Sequence, residues 1–165
     1  MKTIDHETLA GLVESARQSP RRRSHLNLHP QLDDPIQRLL AAMEPDSYVR
    51  PHRHSQAGKW ECFSVLHGSF YVFIYDEHGR ILDKHILRAQ GKGTKIIELP
   101  PGCWHSLLCL ESGSVFFEVK PGPYTATEDK DFAAWAPAEQ TQTVAKFIDW
   151  LQRAEAGDQA AGYAD

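Results

Sequence analysis

Cysteine is scarce in this chain: three residues, Cys62, Cys103 and Cys109, an odd number. The first seven residues are polar and offer no apolar run fit for export, so the thiols are expected to be free in the reducing cytoplasm. No stretch approaches the length of a transmembrane helix, which removes the membrane as an expected partner. Positive charge is not in excess either. A net charge of −4 gives no reason to expect nucleic acid as a partner. Internal repeats and low-complexity tracts are missing as well. What remains is 165 residues of ordinary apolar and charged content, enough for one domain with a real core.

Helical spacing appears at the two ends. Leu9, Leu12, Val13 and Ala16 define an amphipathic face near the start, and Val144, Phe147, Ile148 and Leu151 define another near the end. Between them lie short strand-like runs at residues 48–54, 60–67, 70–75, 81–87, 95–99, 105–110 and 115–120, separated by turn residues. Residues 36–43 fit either a helix or a strand, since periodicity cannot settle so short a run. Many short strands at regular spacing predict a closed barrel or a sandwich. Arg21, Arg22 and Arg23 fall in an expected polar loop, either solvated or in contact with an anion.

One constellation carries chemistry. On a strand, alternate residues share a face, so His52 and His54 point the same way across Arg53. Glu61 opens the next strand, and His105 follows the turn formed by Pro100, Pro101 and Gly102. Three imidazoles and a carboxylate are borderline-to-hard donors suited to one divalent transition metal: Fe, Zn, Ni, Mn or Co. Such a set leaves positions open for substrate, unlike a closed structural zinc site.

Those residues also carry a resemblance. His52, His54, Glu61 and Gly68 resemble the first cupin motif, and Pro100, Gly102 and His105 resemble the second. Two departures stand out. The gap from His54 to Glu61 is long, and Cys109 stands where the pattern usually has Asn. From Arg23 to Glu139 the chain looks like the WbuC-type cupin metalloproteins, through Asn27, His29, Arg38, Arg50, Asp129, Trp135 and their neighbours. The resemblance implies a mainly β, single-domain cupin, a jelly-roll-like β-barrel with a helix at each end. Residues 1–22 would then be a helical extension, 23–139 the barrel, 140–155 a helix and 156–165 a disordered tail. It tips residues 36–43 toward strand. It implies a metal centre and a link to surface-polysaccharide biosynthesis, without assigning a reaction.

Further candidates follow from parity. Tyr48 and Arg50 share the face of His52 and His54; Arg50 is either an anion anchor or, with Tyr48, a plug at the barrel end. His67 lies on the face of Glu61, as packing or as a pocket acid or base. Glu118, alone in an apolar strand, needs a partner: a ligand imidazole or an arginine. His25 and His29 are expected in a surface loop, Cys103 as a small buried hydrophobe, and Trp104 as either packing or a stacking platform. The expected function is a metal-dependent enzyme with Arg50, Tyr48 and His67 in the catalytic pocket. Its substrate would be small and polar, a sugar or sugar nucleotide, in an isomerase- or epimerase-like reaction. The alternatives are an Fe(II)-dependent dioxygenase and a non-catalytic metal-containing binding protein, and a homodimer is the expected assembly.

Overall fold

The side chain of Asp5 accepts the Thr8 amide at 2.9 Å and so caps the first helix, α1 (His6–Gln18). In the computed structural model, which describes residues 1–125 and 130–164, ten strands follow before the second helix. They are β1 (Arg23–Asn27), β2 (Ile36–Met43), β3 (His52–Arg53), β4 (Glu61–His67) and β5 (Ser69–Tyr75). Then come β6 (Ile81–Arg88), β7 (Ile96–Leu99), β8 (Trp104–Cys109), β9 (Ser114–Pro121), β10 (Asp131–Phe132) and α2 (Thr143–Arg153). Asp129, part of the expected family likeness, and Asp165 lie outside the described residues.

The strands form two antiparallel five-stranded sheets, ordered β1-β2-β9-β4-β7 and β10-β3-β8-β5-β6. Among the described residues no strand ladder joins them, so the expected closed barrel is a jelly-roll sandwich with edges at β1, β7, β10 and β6. The chain crosses from one sheet to the other at Gly68, whose φ is +71°. A Cβ there would sit 2.0 Å from Ser114 Oγ, so conformation and space both demand glycine.

Three apolar clusters follow from alternation along the strands. Met43, Phe63 and Phe116 of the first sheet meet Phe70, Val72 and Leu107 of the second in the inner core. Leu40, Ala42 and Val115 face outward and bury Leu12 and Ala16 of α1. Phe73, Tyr75 and Leu108 face outward from the second sheet and bury Phe147, Ile148 and Leu151 of α2. Each sheet is therefore covered on both faces. Strands buried on two sides lose the polar alternation that marks a half-exposed strand, which is why residues 36–43 read ambiguously.

Several expectations change. The polar segment after Pro20 contains β1, which pairs with β2 from Arg23–Met43 to Asn27–Leu39. Of residues 48–54 only His52–Arg53 is strand, because Pro51 has no N–H for a ladder. The segment after α2 is held rather than frayed: Gly157 N–H donates to Ile81 O at 2.8 Å and Ala160 N–H to Gly79 O at 3.0 Å. Tyr163 packs 5.2 Å from Phe147. Among the described residues no helix is long and apolar enough to cross a membrane.

Glu139 joins the two ends of the chain. It accepts two hydrogen bonds from Arg21, both at 3.0 Å, and one from Arg23 at 2.6 Å. Burial by itself would raise the Glu139 carboxyl; the Arg21 hydrogen bonds and the Arg23 charge outweigh it and hold the group below its ordinary 4.5. A carboxyl depressed in the folded state stabilises the fold above its unfolded value, and that contribution fades as pH falls through the folded one. Denaturant melts at pH 7 and in the range just below 4.5 should therefore show wild type losing more stability than Glu139→Gln. Equal losses would mean that the Arg21–Glu139–Arg23 link does not stabilise the fold.

Candidate metal centre

β3 and β8 pair at a single position, His52 opposite His105. His54 lies just beyond β3, and its carbonyl accepts the Gly102 amide at 2.8 Å, tying the two histidine-bearing segments together. Gly102, at φ +76°, provides the left-handed step that turns the chain from Pro100 toward His105. Glu61 comes from the opposite sheet, as the first residue of β4, paired with Leu99. The site thus draws on both layers of the sandwich.

All four side chains are buried: His52 is 2% exposed, His54 4%, Glu61 2% and His105 1%. One ligand atom from each lies within 4.8 Å of all the others. The Nδ1 atoms of His52 and His105 lie 2.9 Å from the carbonyl oxygens of Arg50 and Cys103. A carbonyl only accepts, so each Nδ1 carries the proton and each Nε2 keeps a lone pair for the centre. His52 Nε2 has no hydrogen-bond partner among the described residues. Glu61 Oε2 sits 2.9 Å from His105 Nε2 and 3.4 Å from His54 Nε2. Two electron-rich atoms at 2.9 Å require a proton or a cation between them. Donor chemistry, burial and convergence all fit a divalent metal.

The charges support that reading. Burial, then the Lys130 and His105 charges, push His52 well below its usual value and keep it neutral, the state a ligand needs. Burial opposes ionisation of Glu61, but the Lys120 charge and the neighbouring His105 and His54 hold its carboxyl well below the ordinary range. Lys120 Nζ lies 3.3 Å from Glu61 Oε1 and 2.9 Å from Glu118 Oε1. Glu61 therefore has one oxygen engaged by lysine and the other turned to the histidines.

A cavity of about 530 Å³ opens beside the centre, with His52 and Glu61 in its wall. The structure brings Arg50 to this cavity but neither Tyr48 nor His67. Tyr48 packs edge-on against Phe147 on the far side of the second sheet, and its hydroxyl donates to Pro137 O at 2.9 Å. His67 follows a bulge in the β4–β9 ladder that breaks its parity with Glu61. It ends exposed, with Nδ1 3.2 Å from Gly113 O.

Glu118 lines the cavity and is paired, with a lysine rather than an arginine or an imidazole. Burial raises its carboxyl above the usual range, with Lys120 opposing and Glu61 adding to the shift. Trp104 offers no free face. Arg53 covers its ring at 4.5 Å, and its indole N–H donates to Glu77 at 3.0 Å. Burial raises the Cys103 thiol, which disfavours a thiolate ligand. Arg21 and Arg23 are ion-paired to Glu139, and Arg22 to Asp46 at 2.9 Å. His29 is buried, not on a surface loop, and it lines the cavity.

Lys120 escaped the sequence reading, although a signal existed: Phe116, Glu118 and Lys120 share one parity of β9. Elemental analysis after loading with Fe(II), Mn(II) or Zn(II) should find a single ion per chain. His105→Ala should weaken its affinity by more than about 100-fold, because losing an outer partner alone costs roughly 10- to 100-fold. Unchanged metal content in His105→Ala would remove this residue from the site.

Over residues 4–87, just over half of the chain, the sequence matches the family described as a domain of unknown function, DUF6016. No curated protein matches it. Protein SO0799 from Shewanella oneidensis superposes with a TM-score of 0.61 at 10% identity, over 94% of this chain and 100% of that one. The capsular polysaccharide assembling protein CapF from Staphylococcus aureus gives 0.56 at 17% identity, over 69% of this chain and 30% of that one. Oxalate oxidase in complex with the substrate analogue glycolate gives 0.53 at 13% identity, over 84% and 69%. At such identities the likeness shows the fold, which is the jelly roll of the cupins. By its sequence, the chain belongs to the DUF6016 family.

Proposed function

We propose that the chain is a metal-dependent enzyme that isomerises or epimerises a small polar substrate, a sugar or sugar nucleotide. The observation that carries the reading is the convergence of His52, His54, Glu61 and His105 at the wall of a cavity large enough for such a molecule. A divalent ion held by these four side chains supplies Lewis-acid polarisation of a bound carbonyl or hydroxyl. Arg50, donating to Ala133 O at 2.8 Å with its guanidinium 5.6 Å from the Phe132 ring, is held where it can orient the substrate.

With Tyr48 and His67 elsewhere, proton transfer falls to residues that line the cavity. His25 is one. Burial, then the Arg21 and Arg23 charges, push it below the usual imidazole value, so it is neutral at pH 7 and can accept a proton. The WbuC-type resemblance and the likeness to a capsular polysaccharide assembling protein direct the search toward surface-polysaccharide sugars.

Incubating the Fe(II)-loaded protein with such sugars, with and without oxygen, tests the reading. Turnover at the same rate in both conditions is expected. Oxygen consumption coupled to turnover sinks the isomerase reading in favour of oxygenase chemistry, and binding without turnover sinks it in favour of a carrier or sensor.

A further inference from the structure

We infer that the cavity beside the metal centre takes an anionic sugar, one bearing a carboxylate or a phosphate, and that Arg50 and His29 bind the anion. The inference deepens the proposed sugar-converting function and rests on it for the sugar, but not for the charge. The charge comes from the cavity wall, where five lysine and arginine side chains face three carboxylates in a chain whose net charge is −4. The cavity lining thus carries more positive than negative side chains, and a divalent ion at the centre would add to that excess.

The wall is not uniformly neutralised. Glu139 serves both Arg21 and Arg23, and Glu61 and Glu118 enclose Lys120. Arg50 forms an ion pair with no carboxylate among the described residues. One of its nitrogens donates to Ala133 O, while Nε is buried without a hydrogen-bond partner. A guanidinium in that condition is an unfilled fork for a carboxylate or phosphate.

His29 makes the second, independent observation. It is 5% exposed, and its Nε2 is buried without a partner. The Arg38 carbonyl already accepts the Leu28 amide at 2.8 Å, whereas the Arg38 amide points at His29 Nδ1 at 3.0 Å. The same carbonyl lies 2.9 Å from Nδ1; in the tautomer in which Nδ1 accepts from the Arg38 amide, the ring proton sits on Nε2 and is a donor at the cavity wall. Buried polar groups are almost always satisfied, and the group that suits an unpaired guanidinium is an anion, with His29 on the wall of the same cavity to share in binding it.

Calorimetric titration of the metal-loaded, full-length chain with glucose, glucuronate and glucose 6-phosphate tests the inference. At least one anionic sugar should bind about 10-fold tighter than glucose, the scale of one hydrogen bond to a charged group. Whichever anion wins identifies the group recognised. Arg50→Gln and His29→Gln should each remove most of that preference while metal content, read by elemental analysis, stays at the wild-type level. Arg50→Lys, which keeps the charge, should retain part of it.

No difference between glucose and both anions, whether from equal binding or from none, overturns the inference. So does a preference that survives Arg50→Gln. Should His29→Gln fail to fold, the wild-type comparison and Arg50→Gln still decide. A clear anion preference in a protein that turns over none of the sugars counts against the proposed reaction alone.

Discussion

Glu61 Oε2 and His105 Nε2 face each other at 2.9 Å in a space that water barely reaches, and much of the sandwich is organised around that contact. Isolated, a buried carboxylate carries a large desolvation penalty. Here a lysine matches its charge on one side, and on the other it faces three imidazoles, a contact that calls for a cation between them. Phe63, two residues along β4, places its ring 6.1 Å from His105 and forms part of the apolar floor of the same core. Metal centre and hydrophobic core are one packing arrangement.

That arrangement explains how so exact a geometry is held by a small protein. The ligands come from strands of both sheets, and two imidazoles are oriented by backbone carbonyls rather than by mobile side chains. Beyond them the cavity is bounded by ties of the same character. Lys59, buried before β4, donates to Pro121 O at 3.1 Å and Pro123 O at 2.6 Å, holding the end of β9 beside the approach to Glu61. Polar groups that are costly to bury are thereby turned into fixed positions, and among those left unsatisfied His29, Arg50, His52 and Glu61 line the cavity.

The sequence made part of this readable. His52 and His54 had to share a face if their run was a strand, His105 followed a Pro-Gly turn, and the cupin resemblance pointed to Glu61 at the start of the next strand. Tyr48 was misplaced for a local reason: Pro51 interrupts the ladder, and alternation means nothing where there is no strand. His67 was misplaced by one bulge, which shifts every residue beyond it to the other face. His29 was hidden because its burial depends on β1, a strand whose polar sequence, Arg23 to Asn27, gives no apolar alternation. Lys120 was overlooked because a lysine at a strand end is ordinarily solvent-facing, whereas here Glu118 on its own strand and Glu61 on the neighbouring β4 hold it inside.

Sheet closure depends on still longer-range information. Turn spacing shows that many strands exist, but not which of them end up as the edges of each sheet. α1 lies on one outer face and α2 on the other. The most direct measurement is the K-edge X-ray absorption spectrum of the Fe(II)-loaded chain. Nitrogen and oxygen neighbours with the multiple scattering of three imidazoles, and no sulfur shell, are the predicted result. A sulfur shell, or a spectrum without imidazole scattering, would contradict a centre built from His52, His54, Glu61 and His105.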